Sequence, residues 1–140
     1  MSPVSPTRTD VLIVGAGPSG LALAIALRQL GVDALQLDRL AEGANTSRAA
    51  VVHARTLDVL EPLGVVPGLL GAGLKVHHFH VREGDRSLMH IDFGSLPSAH
   101  PYTLMCPQNL TEALLLRRLT VLGGAVERPA RLVRLRPRED

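Results

Sequence analysis

Three glycines at fixed spacing, Gly15, Gly17 and Gly20, are the residues of this chain whose types and positions specify chemistry most directly. A pyrophosphate needs several hydrogen-bond donors and a close approach of backbone, and side chains in the turn would block both. Gly15 permits a tight turn, Gly17 lets the main chain approach an anion, and Gly20 lets a helix pack closely on its sheet. Pro18 suits the first helical position, where its missing N–H needs no partner, and Ser19 stands beside it. The positive end of such a helix faces the phosphates. About twenty residues on, Asp38 supplies a carboxylate that can accept hydrogen bonds from an adenosine ribose and would repel a ribose 2′-phosphate. The pattern implies an ADP-containing ligand, with FAD and NAD both open and NADP disfavoured.

The flanking elements must position that turn. Val11 to Val14 is a continuous apolar run, as expected of a parallel strand covered on both faces. Pro18 to Leu30 carries a helical pattern that Gly31 is placed to end, and Val32 to Leu37 gives a second strand closed by Asp38 and Arg39. Strand, helix and strand in this order predict a right-handed βαβ unit. Leu40 to Ala50 reads as a loop, and His53 to Leu63 as a helix with Leu57, Leu60 and Leu63 on one face. Pro67 to Gly73 predicts a short helix or turn. Lys75 to Arg82 and Ser87 to Phe93 predict a hairpin turning at Glu83-Gly84-Asp85-Arg86, and Thr103 to Met105 a short strand. In the last helix, Asn109 and Glu112 resemble a capping box, and Leu110, Leu114 and Val121 are expected to share a face before Gly123-Gly124 stops it. Val126 to Pro129 and Arg131 to Leu135 suggest two further short strands.

Composition narrows the class. The 140 residues suffice for one compact core and so predict a single unit, and 46% hydrophobic content against 20% charged residues is globular. Aromatics supply only 2%, so the core must be built from Leu, Val and Ala. The net charge is +2, with Lys75 the only lysine and the arginines scattered, which speaks against nucleic-acid binding. The uncharged stretch from Val11 to Leu27 contains three glycines and Pro18 and is too short to span a bilayer, so no membrane association is expected. Cys106 is the single cysteine, which excludes an internal disulfide and fits a reducing, cytoplasmic setting.

Other chemistry-bearing residues carry less. His78 and His80 share one strand face and His77 the other, and spacing supplies no third ligand, so no metal site is expected. Cys106 lacks a positioned base and reads as a small buried side chain. Ser19 lacks the Gly-x-Ser-x-Gly spacing of a hydrolase nucleophile. No catalytic residue is assigned within this chain.

Four segments carry a resemblance that chooses between cofactors: Asp10 to Leu21, Asp38-Arg39, Ser47-Arg48-Ala49 with His53-Ala54-Arg55-Thr56-Leu57, and Pro107-Gln108 opening a helix that ends at Leu122-Gly123. Together they resemble the para-hydroxybenzoate hydroxylase-like FAD monooxygenases, especially the branch acting on phenols and polyketide antibiotics. The resemblance implies an α/β, Rossmann-like FAD-binding fold with a parallel sheet and a small β-hairpin excursion. Residues 1–140 would be the N-terminal portion of the FAD-binding domain, with a hairpin at about 75–95 belonging to the substrate-side sheet. It implies that Gly15, Gly17, Pro18, Ser19 and Gly20 hold the pyrophosphate, Asp38 the adenosine ribose and Arg39 the adenine side. Arg48 would reach the phosphates or the flavin edge, and Gln108 the ribityl or pyrophosphate region. An arginine fork suits phosphate oxygens better than a lysine. One departure is Asp38, where the family usually carries Glu; the shorter arm alters the ribose contact without changing the sign of the charge.

The resemblance further implies FAD as cofactor, NAD(P)H as transient electron donor, and transfer of one oxygen atom of O₂ to an aromatic or polyketide-like small molecule. Family members continue well beyond residue 140, where a second flavin motif lies, so this portion is expected to be incomplete for catalysis alone. The pair Gly84-Asp85 is followed by Arg86-Ser87-Leu88 and is not that motif. The alternatives are another FAD oxidoreductase, such as a dehydrogenase or halogenase, or a non-catalytic truncated ADP- or FAD-binding fragment. The lack of tryptophan counts mildly against a halogenase.

Overall fold

The computed structural model describes residues 8–43 and 51–137. It divides into two compact units, Met1–Ala44 with Leu115–Asp140, and Asn45–Leu114, where length alone suggests one.

In the first unit, strand β1 (Leu12–Val14) leads through helix α1 (Pro18–Gln29) to strand β2 (Leu35–Leu37). The strands pair in parallel with Leu12 opposite Leu35, Ile13 opposite Gln36 and Val14 opposite Leu37. α1 packs on β1 and buries Leu21, Ala24 and Ile25, the i, i+3, i+4 spacing of an apolar stripe. It ends as Gly31 predicts: the Val32 amide donates to the Leu27 carbonyl at 2.9 Å and the Gly31 amide to Arg28 at 3.1 Å, a Schellman motif. β1 departs from the expectation of cover on both faces. Ile13 is buried, but Leu12 and Val14 are exposed, Val14 at 58%, because among the described residues β1 pairs only with β2 and packs with α1 on one side.

Beyond β2 the expected strands at 126–129 and 131–135 reduce to one parallel bridge between Leu37 and Glu127. The Glu127 amide donates to the Gln36 carbonyl at 2.8 Å and the Asp38 amide to the Glu127 carbonyl at 3.0 Å. Pro129 supplies no amide hydrogen and so limits the ladder to this step. The contact brings Arg128 to the end of β2.

The second unit holds strand β3 (Val51–Val52), helix α2 (Ala54–Leu60) with a 3-10 turn over Glu61–Leu63, helix α3 (Val66–Ala72), and strands β4 (Leu74–Val76), β5 (His78–Glu83), β6 (Arg86–Asp92) and β7 (Thr103–Met105). β7 is the centre of a three-stranded antiparallel sheet in the order β3-β7-β4, and Leu104 within it is fully buried. Leu57, Leu60 and Leu63 are buried together as their spacing predicts, with Val66 and Leu69 from α3. The strand expected over Lys75 to Arg82 is divided at His77, with Leu74–Val76 joining β7 and His78–Glu83 pairing with β6 in the expected hairpin, and the positive φ of Gly84 lies in its turn. Gly84-Asp85 is thus a turn dipeptide.

Helix α4 (Gln108–Val121) starts in the second unit and ends in the first. Its cap differs from the expected box. Asn109 lies inside the helix, and the Pro107 carbonyl accepts the amides of Leu110 and Thr111 at 3.0 and 3.1 Å. The buried positions are Thr111, Glu112, Leu115 and Leu119, while Leu110 and Val121 are exposed. Leucines at 110, 114, 115, 116, 119 and 122 ring the helix, so periodicity alone left the buried face undecided. At its end Arg28 donates to the carbonyls of Leu122 (3.2 Å) and Gly123 (2.7 Å) and pairs with Asp33. No helix among the described residues is long and apolar enough to cross a membrane.

Candidate functional site: the turn between β1 and α1

The turn from Gly15 to Gly20 is built by its neighbours in β2 as much as by its own glycines. Gly15 adopts φ +104°, a conformation that L side chains rarely take. Its amide donates to the Leu37 carbonyl at 2.8 Å, and its carbonyl accepts from Gln36 Nε2 at 2.9 Å. The next amide, that of Ala16, donates to Asp38 Oδ2 at 2.7 Å. The peptide group joining Gly15 and Ala16 is therefore held at its oxygen and at its nitrogen by two side chains of one stretch. Positions 36 and 38 share a face because strand side chains alternate. Gly20 lies against the same peptide: a Cβ there would stand 2.3 Å from the Gly15 carbonyl oxygen and 3.2 Å from Gln36 Nε2.

Gly17 is the N-cap of α1 in extended conformation, Pro18 follows it, and Ser19 is exposed in the first turn. No side chain caps this helix start and no acidic residue stands in its first turn. The first amides of a helix have no intrahelical acceptor, and the positive end of the dipole lies there. The donor set, and the open space at Gly17, where a Cβ would meet nothing within 4 Å, fit a phosphate group.

Asp38 is enclosed, its side chain 12% exposed. Oδ2 accepts from the Ala16 amide and Oδ1 from the Leu40 amide at 2.8 Å, and Arg128 approaches Oδ2 to 3.8 Å. Burial acts to raise the carboxyl's pKa, but the Leu40 and Ala16 amides together with the charges of Arg128 and Arg39 outweigh it, and the net shift is downward. Arg128 also donates to the Ala16 carbonyl at 3.4 Å. Arg39 is exposed at the same edge.

The structure thus brings together Gly15, Gly17, Pro18, Ser19, Gly20, Asp38 and Arg39. Arg48, with Ser47 and Ala49, lies outside the described residues. Gln108 opens α4 in the second unit, where its Nε2 donates to the buried carboxylate of Glu112 at 2.7 Å. Sequence reasoning missed two residues of the turn. Gln36 left a signal, a polar residue between two leucines of a short apolar strand; Arg128 left none, being distant in sequence and one of many arginines.

The remaining candidates resolve locally. His80 and His90 stack at 4.2 Å across the hairpin with His78 5.5 Å from His90, so a third histidine does reach that face, from the paired strand. Among the described residues no group of three or more His, Cys, Asp or Glu is arranged to hold a metal. Cys106 is buried, accepting from Thr111 Oγ1 at 3.6 Å. A hydrogen-bonded chain runs from the exposed Glu61 to the buried His100 and Tyr102, with His100 Nε2 2.6 Å from Glu61 Oε2 and Nδ1 3.0 Å from the Tyr102 hydroxyl.

Comparison with known proteins accords with this geometry. Among curated proteins, 6-methylpretetramide 4-monooxygenase of Streptomyces rimosus is 42% identical over 84% of this chain and 22% of its own length. The solved structure of anhydrotetracycline hydroxylase from Streptomyces rimosus superposes with a TM-score of 0.75 at 41% identity, covering 88% of this chain and 24% of that one. The flavin-dependent monooxygenase PieE, solved with FAD and substrate, gives a TM-score of 0.73 at 26% identity over 88% of this chain and 24% of its own. This chain therefore spans about a quarter of the length of the relatives it matches. A family model described as "FAD binding domain" matches residues 8–140, and the chain belongs to that FAD-binding family.

Proposed function

We propose that the turn at Gly15 to Gly20 receives the ADP half of FAD, and that the chain is the N-terminal FAD-binding portion of a monooxygenase that hydroxylates an aromatic or polyketide-type substrate with NAD(P)H and O₂. The observation that carries this reading is the uncapped start of α1, open at Gly17, beside a peptide fixed at both ends against which Gly20 packs. In this reading the amides at Gly17, Ser19 and Gly20 bind the pyrophosphate while Pro18 presets the helix start. Asp38, whose oxygens keep lone pairs beyond those used by Ala16 and Leu40, accepts from the adenosine ribose in this reading, and Arg39 flanks the adenine. The family resemblance also assigns Arg48 and Gln108 to FAD binding. FAD, when bound, supplies the redox chemistry between a nicotinamide nucleotide and dioxygen. This segment contributes binding and orientation rather than a proton-transfer pair.

The substrate class rests on the relatives, which act by their names on 6-methylpretetramide, anhydrotetracycline and pentachlorophenol. The hairpin β5–β6 belongs, in this reading, to the substrate side of the complete protein. A second reading, a non-catalytic ADP- or FAD-binding piece, is favoured for the isolated chain because it spans about a quarter of those relatives. Titration of the purified chain with FAD, followed by flavin fluorescence and by displacement with ADP, tests the binding claim. Saturable FAD binding reversed by ADP is expected; failure to bind either ligand overturns it.

A further inference from the structure

We infer that Gln36 is a positioning residue for the phosphate-binding turn, an assignment that rests on the ADP-binding reading above and adds to it a residue that contacts the turn rather than the ligand. Gln36 is 1% exposed at the centre of β2, opposite Ile13 and between Leu35 and Leu37. Its Oε1 is buried without a hydrogen-bond partner among the described residues. An aliphatic side chain of similar volume fills such a place without burying an unpaired oxygen. What the glutamine provides is its Nε2 donor at the Gly15 carbonyl. An acceptor at that distance admits only the NH₂ end of the amide, so the orientation of the side chain is set.

The consequence lies in the peptide it grips. With Gln36 on the oxygen and Asp38 on the nitrogen, the Gly15–Ala16 peptide plane cannot rotate, and the direction in which the chain enters Gly17 and α1 is fixed before a ligand arrives. The same Nε2 lies 3.2 Å from the Cβ position of Gly20, so it also backs the helix start. Preorganised donors bind an anion without paying for their ordering at the moment of binding. A buried, half-satisfied amide next to a ligand-binding turn is the exchange of stability for site geometry that functional positions show.

Two variants of the 140-residue chain test this. Gln36→Leu removes the donor and the unpaired oxygen together. It is expected to keep or raise Tm, to weaken FAD and ADP about tenfold or more, and to speed hydrogen exchange of the Ala16 amide. Gln36→Glu can donate to Gly15 only when protonated. Its FAD affinity relative to wild type is expected to be highest near pH 5 and to fall by pH 8, a range in which the lowered pKa keeps Asp38 charged. A Leu variant with wild-type affinity and wild-type exchange at Ala16 overturns the inference, as does a Glu variant whose relative affinity ignores pH. If the wild-type chain binds neither FAD nor ADP, the cofactor reading fails on its own, and the exchange comparison alone then decides whether Gln36 fixes the turn.

Discussion

Asp38 Oδ2 accepts the amide hydrogen of Ala16 at 2.7 Å, so the residue that closes β2 fastens the turn that leaves β1. The second oxygen does the same for Leu40. One carboxylate thereby joins the β1–α1 turn to the segment that follows β2, and its negative charge is countered by Arg128.

Replacing Asp38 by Asn tests that junction. A carboxamide accepts at one end only, so either Ala16 or Leu40 loses its acceptor, and Arg128 loses its counter-charge. A loss of about 1–3 kcal/mol is expected in denaturant unfolding, the cost of leaving a buried hydrogen-bonding group without its partner.

The same carboxylate sets a pH dependence. Its pKa is lowered in the folded chain, so its contribution to stability is fully present above the ordinary value of 3.8 and is lost as the pH falls through the lowered folded value. Thermal unfolding measured from pH 7 to pH 2 should show this acid loss in wild type and a smaller one in Asp38→Asn. Identical acid limbs in the two proteins contradict the assignment.

Gly20→Ala probes the close approach. Its methyl group would meet the Gly15 carbonyl oxygen at 2.3 Å, a backbone atom held by Gln36 that cannot give way cheaply. Overpacking of this kind costs about 1–3 kcal/mol. FAD affinity should fall with it; unchanged affinity in a titration would mean the turn is less constrained than its geometry.

Tyr102→Phe addresses the second unit. It removes the hydroxyl bonded to His100 Nδ1 and leaves a buried ring nitrogen without its partner. A destabilisation of about 1–2 kcal/mol is expected by urea unfolding, with ADP binding at the Gly15 turn unaffected.

Arg28→Met removes the donors to the Leu122 and Gly123 carbonyls at the end of α4. The expected cost is about 1 kcal/mol. Hydrogen exchange should rise in the last turn of α4, and a protection pattern equal to wild type there would argue against the cap.

The sequence by itself determined the β1-α1-β2 order, the end of α1 at Gly31, the hairpin at Gly84, the strand at Thr103 and the glycine turn. Each follows from local conformational demands, a φ that side chains rarely take, an apolar run, a missing N–H at Pro18, that are written in neighbouring residues. Tertiary structure decided what acts across the chain. Arg128 reaches Asp38 because Glu127 bridges Leu37, and nothing near either residue announces that pairing. The buried face of α4 was settled by packing, since leucines occupy all its sides. Asp38 was legible as an acid at the end of a strand. That it also holds Ala16, with Gln36 holding the other side of the same peptide, depends on two strands lying side by side, and hydrogen bonds between strands leave no periodicity in the sequence of either.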